Sequence, residues 1–443
     1  MVIPLLQSIT GLLAGIALIV LLTARYKVHA FFALLMASLL VGLVLRLPVA
    51  EIITITKNGF GHIVGSLGLL IILGTTLGLL LEHTGSTAVL AGFVLKKIGA
   101  GRSPLAMNIT GYLVGLPIFC DSGYIVLSGL NKALAKRSGV SMVIMASSLA
   151  SGLYAIHCLM PPHPGVTAAT GTIHADMGKV MLYGLLVAIP AALCGYVWAV
   201  YAGNKLPAPV IREEEEITPG QQLPSVLLSV LPIAVPILLI ALHSFMALET
   251  VNDNFLVRLI ATLGIPEVAL SVGIALALLG KRNWDRAGLG KILQDGAEKA
   301  AGILVIIGGG GAFGAILAKA DIGSHLAQST AIASLGLFLP FLVTTVLKTA
   351  QGSSTVAIIT AASIIQPLLP ALGLDSDTGR IICVLAMGAG SMMISHTNDA
   401  YFWVISKFSG LEIKDMLRVY SIGTIFMGLI SVFFVYILSM MIN

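Results

Sequence analysis

Residues 335–369 read LGLFLPFLVTTVLKTAQGSSTVAIITAASIIQPLL. The apolar pieces 335–347 and 355–369 are each too short to cross a bilayer, which takes about 20 helical residues. Between them stand Gln351, Gly352, Ser353 and Ser354, all small or polar. Residues 104–135 repeat the pattern, with apolar pieces 104–119 and 124–135 around Cys120, Asp121, Ser122 and Gly123. Each pair reads as a re-entrant hairpin, 104–135 and 335–369, whose tip lies inside the membrane. Irregular backbone at that depth is tolerated only where it is buried in protein or lines a water-filled cavity. The two tips therefore point to a site.

The rest of the chain supplies the bilayer context. Of 443 residues, 57% are hydrophobic and 10% charged, and the mean hydropathy is +1.00. A soluble protein carries about 25% charged residues. Ten further segments approach spanning length: 3–23, 29–47, 65–82, 141–160, 177–203, 225–246, 258–280, 298–318, 379–397 and 416–441. The expected fold class is an all-α polytopic membrane protein. The first apolar run, Leu5 to Thr23, follows no basic residue and ends in no clear cleavage site, so it reads as a membrane helix rather than a removable signal peptide. Cys120, Cys158, Cys194 and Cys383 show no CxxC spacing, which supports neither a disulfide framework nor a zinc site. No cofactor or metal is expected. The net charge of +5 is spread singly or in pairs between apolar runs, so it reads as a topology signal and implies no nucleic-acid partner.

Short cytoplasmic loops carry the Lys/Arg excess. Arg25 and Lys27, Lys96, Lys97 and Arg102, Lys132, Lys136 and Arg137, Lys281, Arg282, Arg286 and Lys291, and Lys407, Lys414 and Arg418 fall on one side if both termini face outward. The loop 247–257, with Glu249 and Asp253, falls opposite. The two halves also correspond at an offset of between about 230 and 240 residues. Gly85 matches Gly323, Asp121-Ser122 faces Ser353-Ser354, His157 matches His396, and the helix opening at Met177 matches the one opening at Asp415. With five crossings per half, the second copy enters the membrane upside down. The expected organisation is an inverted repeat over 1–203 and 225–443, with interrupted helices 141–160 and 379–397. A cytoplasmic linker, 204–224, joins the halves; its Glu213–Glu216 run reads as solvated rather than as an acidic switch. Interrupted segments at matching places in inverted repeats point to a transporter's binding site near the midplane.

Four motifs then resemble a known family. Pro161-Pro162-His163-Pro164-Gly165, Ile306-Ile307-Gly308-Gly309-Gly310-Gly311-Ala312-Phe313, Gly352-Ser353-Ser354-Thr355-Val356-Ala357, and Ser395-His396-Thr397-Asn398-Asp399 followed by Phe402-Trp403 are similar to signature stretches of the gluconate:proton symporter family. The resemblance covers essentially the whole chain. It implies membership of the wider group of inverted-repeat secondary transporters, elevator-type movement, a homodimer, a bacterial inner membrane, and proton-coupled import of gluconate or a related sugar acid. One departure concerns specificity. Where the family commonly has Glu in the first hairpin tip, this chain has Asp121-Ser122-Gly123, which implies a different or smaller hydroxy acid, such as glycerate or a D-serine-like substrate.

The residues themselves suit a carboxylate. A half-helix that begins inside the membrane aims free N–H groups and a positive dipole end at what lies there. Ser122, Gly123, Gly352, Ser353, Ser354 and Thr355 offer amides and hydroxyls from both tips, although small residues also serve tight helix packing. His157, His163, Thr167, His396, Thr397 and Asn398 are further candidate substrate contacts, each histidine equally open to a purely structural hydrogen bond. Asp121 or Asp399 is the expected carrier of the coupling proton, with His157 or His396 as relay or hydroxyl donor, because ionisable side chains at membrane depth are costly and functional by default. Pro161–Gly165 ends helix 141–160 abruptly. The Gly308–Gly311 run reads as helix packing or local unwinding, since no strand precedes it as a phosphate loop requires. Glu82, His83, Lys319 and Asp321 read as interfacial; Lys348 reads either as an outer-face snorkelling residue or as an attractor for anions. An intramembrane enzyme built on His157, His163 and Asp399 finds no supporting catalytic motif. A passive anion channel would not need carboxylates at the hairpins.

Overall fold

The computed structural model describes residues 4–206, 223–246, 255–280, 284–320, 334–397 and 399–442. Most of the predicted linker, Asp321, Gly323 of the Gly85–Gly323 match and most of loop 247–257 lie outside the described residues. Among the described residues the chain is helical, without strands. The first half holds α1 (Leu5–Val20), α2 (Ala30–Val44), α3 (Val49–His83), α4 (Ser86–Ile98), α5 (Ser103–Gly115), α6 (Cys120–Ser138), α7 (Met142–Leu159), α8 (Pro164–Ile173) and α9 (Met177–Gly203). The second holds α10 (Val226–Met246), α11 (Phe255–Leu263), α12 (Pro266–Leu278), α13 (Arg286–Lys319), α14 (Phe338–Gln351), α15 (Ser354–Ile365), α16 (Asp377–Met392), α17 (Ala400–Ser409) and α18 (Ile413–Ile442). Helix starts follow capping chemistry. Asp176, Asp285, Ser353, Ser376 and Asp399 accept N–H bonds from the first turns of α9, α13, α15, α16 and α17.

Among the described residues, seven stretches are long and apolar enough to cross a bilayer: Leu6–Thr23, Val49–His83, Met142–Ile173, Met177–Gly203, Arg286–Lys319, Ser354–Leu372 and Ile413–Ile442. The protein is thus a multi-pass membrane protein. The predicted spans 29–47, 225–246 and 258–280 coincide with shorter apolar helices. Span 258–280 is in fact two helices, because Pro266 disfavours helix at Ile265 and the chain breaks there. Span 379–397 stops at Met392, as a 16-residue helix. Residues 354–372, read from sequence as a hairpin limb, reach spanning length because the turn Gln366–Leu368 extends α15.

The predicted spans 65–82 and 298–318 are only the apolar parts of α3 and α13, of 35 and 34 residues. At 1.5 Å per residue these helices run roughly 50 Å, well beyond the hydrocarbon core. They lie antiparallel, with Glu51 near the start of α3 and Lys319 at the end of α13 paired at 3.6 Å. The glycine run is continuous helix, so packing and not unwinding explains it. A Cβ on Gly311 would stand 2.6 Å from the Gly59 carbonyl oxygen, and one on Gly59 would stand 2.5 Å from the Gly311 oxygen. Gly308 faces the Phe60 ring of α3, Gly309 faces Phe31 and Leu34 of α2, and Gly310 faces Ile359 and Ser363 of α15. Four consecutive small residues let one helix meet three neighbours.

The core lies around α7 and α16, both buried along almost their whole length. Asn108 on α5 ties this region together, its amide donating to the Ser148 carbonyl of α7 at 2.9 Å and the Ala192 carbonyl of α9 at 3.1 Å. Outward, α9 presents Leu186, Ile189, Leu193 and Val197 in an exposed apolar row at helical spacing. Such a row is stable against lipid and costly against water.

Candidate substrate cavity

The sequence breaks resolve into helix starts. Residues Cys120–Gly123 are not an open tip but the first turn of α6; the gap between α5 and α6 is the apolar stretch Leu116–Phe119, whose Pro117 has no N–H to extend a helix. In the second pair, α14 ends at Gly352, where φ is +86°, a left-handed conformation glycine adopts without steric cost. Ser353 then caps α15 through its hydroxyl, which accepts the Val356 N–H at 3.3 Å. The Pro161–Gly165 run is buried and joins α7 to α8, so it is not an outer loop. Residues 393–397 and Asp399 belong to the corresponding join between α16 and α17.

These four starts converge on one cavity of about 550 Å³. Phe119, Cys120, Asp121 and Ser122 bring the N-terminus of α6; Pro164 that of α8; Ser353, Ser354, Thr355 and Val356 that of α15; and Asp399, Ala400 and Tyr401 that of α17. The volume lies within the range of small-molecule sites, roughly 300–1,000 Å³. Each N-terminus carries unpaired N–H groups and about half a positive charge. Tyr154 and His157 of α7, Gln351 of α14, and Lys299, Ile303 and Ile306 of α13 complete the wall.

Of the residues singled out from sequence, Asp121, Ser122, His157, Ser353, Ser354, Thr355 and Asp399 line the cavity. His157 Nε2 lies 3.5 Å from Thr355 Oγ1, and its buried Nδ1 has no protein partner among the described residues. Asp121 makes no ion pair with any described lysine or arginine. Gly123, His163, Thr167, Gly352, His396 and Thr397 do not line the cavity, and Asn398 lies outside the described residues. Two of the histidines act on backbone instead. His163 Nε2 sits 2.7 Å from the Gly115 carbonyl oxygen at the end of α5, and His396 Nε2 sits 3.2 Å from the Thr349 carbonyl oxygen in the last turn of α14. Both supply donors to carbonyls in the last turn of a helix, where intrahelical N–H groups run out. His396 thus shares the geometry of His163, whereas the sequence match paired it with His157.

Lys348 is the residue the sequence placed least well. It is neither at an outer face nor exposed. It is fully buried, its Nζ 2.6 Å from Asp399 Oδ2 and also donating to the Gly352 carbonyl. Asp399 Oδ2 accepts from Ser395 Oγ at 2.5 Å and Oδ1 from the Tyr401 N–H at 3.0 Å. Tyr154, Gln351, Tyr401 and Lys299 were also missed. Lys299 and Gln351 were legible as polar groups within or beside an apolar segment; the two tyrosines gave no signal above ordinary core aromatics.

A family profile described as GntP family permease matches residues 7–441. The chain belongs to this family. A gluconate permease of Pseudomonas aeruginosa is 33% identical to it over 97% of both chains. The D-serine transporter DsdX of Escherichia coli O6:H1 is 31% identical, covering 98% of both. The YdaH transporter of Alcanivorax borkumensis, a solved structure 15% identical, superposes with a TM-score of 0.62 over 88% of this permease and 89% of that chain, a likeness of fold. Family membership and a transporter fold make this GntP-family permease a membrane transporter and not an enzyme.

Proposed function

We propose that this permease is a proton-coupled symporter that brings gluconate or a related sugar or hydroxy acid into a bacterial cell across the inner membrane. The observation that carries the reading is the convergence of four helix N-termini, with Ser122, Ser353, Ser354 and Thr355, on one cavity. Dipole ends suit the carboxylate and hydroxyl side chains suit the substrate's hydroxyls. Asp121 and Asp399 on the same wall are the proton carriers in this reading, and His157 is a hydroxyl partner or relay. The gluconate permease likeness agrees with it. A second reading, a shorter or amino-bearing acid such as glycerate or D-serine, is favoured by Asp121. A wall carboxylate that makes no ion pair with a described cation suits an ammonium group, and one relative is a D-serine transporter.

The proposed framework is an inverted repeat of five crossings per half, with both termini outside and a protomer paired in a homodimer in the lipid bilayer. The order of a helix pair, a buried helix, a break and a short helix over α5–α8 recurs over α14–α17, and His163 and His396 bond the end of the first helix of each set. Both facts support the repeat. The proposed mobile unit of an elevator is the two re-entrant hairpins with α7 and α16, moving against α13 and the remaining helices. Proteoliposomes test the function. Under an inward proton gradient the protein is expected to accumulate gluconate, glycerate or D-serine above equilibrium; equilibration alone would identify a channel and overturn the symport reading.

A further inference from the structure

Lys348 Nζ is held by an anion that itself faces the cavity. Asp399 forms part of the wall, while Lys348 stands directly behind it, 5.9 Å from the ring centre of Tyr154, another wall residue. Other titratable groups around the pair are Cys120 and Asp121 on α6, Tyr154, His157 and Cys158 on α7, Tyr401 on α17 and Tyr420 on α18. Lys299 of α13 is exposed on the same cavity wall but forms no ion pair with Asp399, so among the described residues Lys348 is the cation that holds it. A buried ammonium is tolerated while an anion sits against it, and removing one partner leaves the other uncompensated. Protonation of Asp399 removes that anion. A carboxylate entering the cavity can replace it, whereas a carboxylate arriving while Asp399 is charged finds the lysine occupied and the Asp399 charge beside it.

We propose that Lys348 binds the substrate's carboxylate, and that a proton on Asp399 is what releases Lys348 to do so. The proton moves onto an Asp399 carboxylate oxygen. One Lys348 N–H then passes from Asp399 to the substrate, and both transfers reverse when the substrate leaves on the other side. The Gly352 carbonyl keeps its bond to Nζ throughout, so the lysine stays anchored while its counter-ion changes. One lysine with two interchangeable anions makes proton binding and substrate binding mutually favourable, by the same factor in both directions. The inference rests on the symport reading and names the mechanism within it.

The test uses the full chain in proteoliposomes with radiolabelled gluconate and D-serine, reading counterflow affinity across pH and accumulation under a proton gradient. Wild-type affinity is expected to fall by about tenfold per pH unit on the alkaline side. Asp399→Asn is expected to lose the pH dependence of affinity and to lose accumulation under a proton gradient, whatever counterflow rate it keeps. Lys348→Gln is expected to weaken affinity by about tenfold or more on the acid side, where wild-type Lys348 is released to bind, and to converge with wild type on the alkaline side, and Lys348→Arg to restore most of the loss. Where a single variant fails to fold, Lys348→Gln/Asp399→Asn, which leaves neither charge unpaired, gives the reading: weak affinity without pH dependence. Wild-type affinity and pH dependence in either Lys348→Gln or that double variant would overturn the exchange. Failure of the wild-type protein to accumulate either acid would instead overturn the symport reading beneath it.

Discussion

A disulfide between α13 and α15 tests whether the second hairpin moves. Ser363 on α15 donates to the Gly310 carbonyl of α13 at 2.9 Å, and a Cβ built on Gly314 stands 3.5 Å from Ser363 Cβ. Disulfides join Cβ atoms roughly 3.5–4.5 Å apart, so Gly314→Cys/Ser363→Cys meets the geometry without backbone movement. The nearest atoms to that new Cβ lie at 3.5 and 3.6 Å, ordinary contact, so the Gly314 change is expected to cost little. Losing the Ser363 hydroxyl removes a neutral donor shared between the Gly310 and Ile359 carbonyls, at a cost of about 1 kcal/mol. The reduced double variant should therefore fold and transport within about tenfold of the parent. Among the native cysteines Cys120, Cys158 and Cys383 are buried and Cys194 is half-buried, so Cys194→Ala gives a sufficient background. Uptake is measured in proteoliposomes after oxidation, with the cross-link quantified by mass spectrometry, and again after reduction. Transport should fall in proportion to the cross-linked fraction and return with reductant. Full transport by fully cross-linked protein would show that α15 need not move against α13, and the elevator arrangement would fail.

Two further changes address the cavity. Gln351 lines it, and neither its amide nitrogen nor its oxygen has a protein partner among the described residues, so a substrate hydroxyl or carboxylate is its natural complement. Gln351→Leu should lower affinity by about tenfold, the worth of one to two hydrogen bonds, without lowering thermal stability; a parallel loss of both would mark a structural role. Lys299 is exposed on α13 at the cavity wall, so Lys299→Gln should slow anion uptake at low ionic strength and match the parent at about 1 M salt, where the screening length is about 3 Å. An effect independent of salt would refute its steering role.

The helical membrane class was legible because it depends on summed composition, which no local detail can overturn. The lengths of α3 and α13 were not. Their polar ends, such as Glu51 to Gly61 and Arg286 to Lys299, lack the apolar run that marks a span, yet they continue the helix through packing on one another. Hairpin positions were visible as short apolar pieces, but the exact break was misread at Cys120–Gly123. Small and polar residues mark a helix's first turn as readily as a gap, since Asp and Ser are favoured at N-terminal positions. At Gly352 the reading was closer, because a glycine with positive φ is a specific stop signal.

For the site, sequence separated the polar residues from the apolar ones and could go no further, because cavity lining depends on which side of a helix start a residue falls. Ser122 and Gly123 are adjacent, yet only Ser122 reaches the cavity; Gly123 turns toward Leu153 of α7, whose side chain a Cβ would meet at 2.7 Å. Lys348 shows the same limit in electrostatic form. Thirteen apolar or small residues precede its polar break, and a lysine near the end of such a run fits a snorkelling reading as well as any other. Its partner stands 51 positions away, so only the fold can join them. That separation has a consequence for mechanism. The pair ties the end of α14 to the start of α17 across the loop that precedes Asp399, and a proton that opens the pair loosens the junction between two helices that both bound the cavity. Charge exchange on Lys348 and movement of the second hairpin are then expected to be coupled, and the cross-linked Gly314→Cys/Ser363→Cys protein should still bind substrate with wild-type pH dependence while failing to carry it.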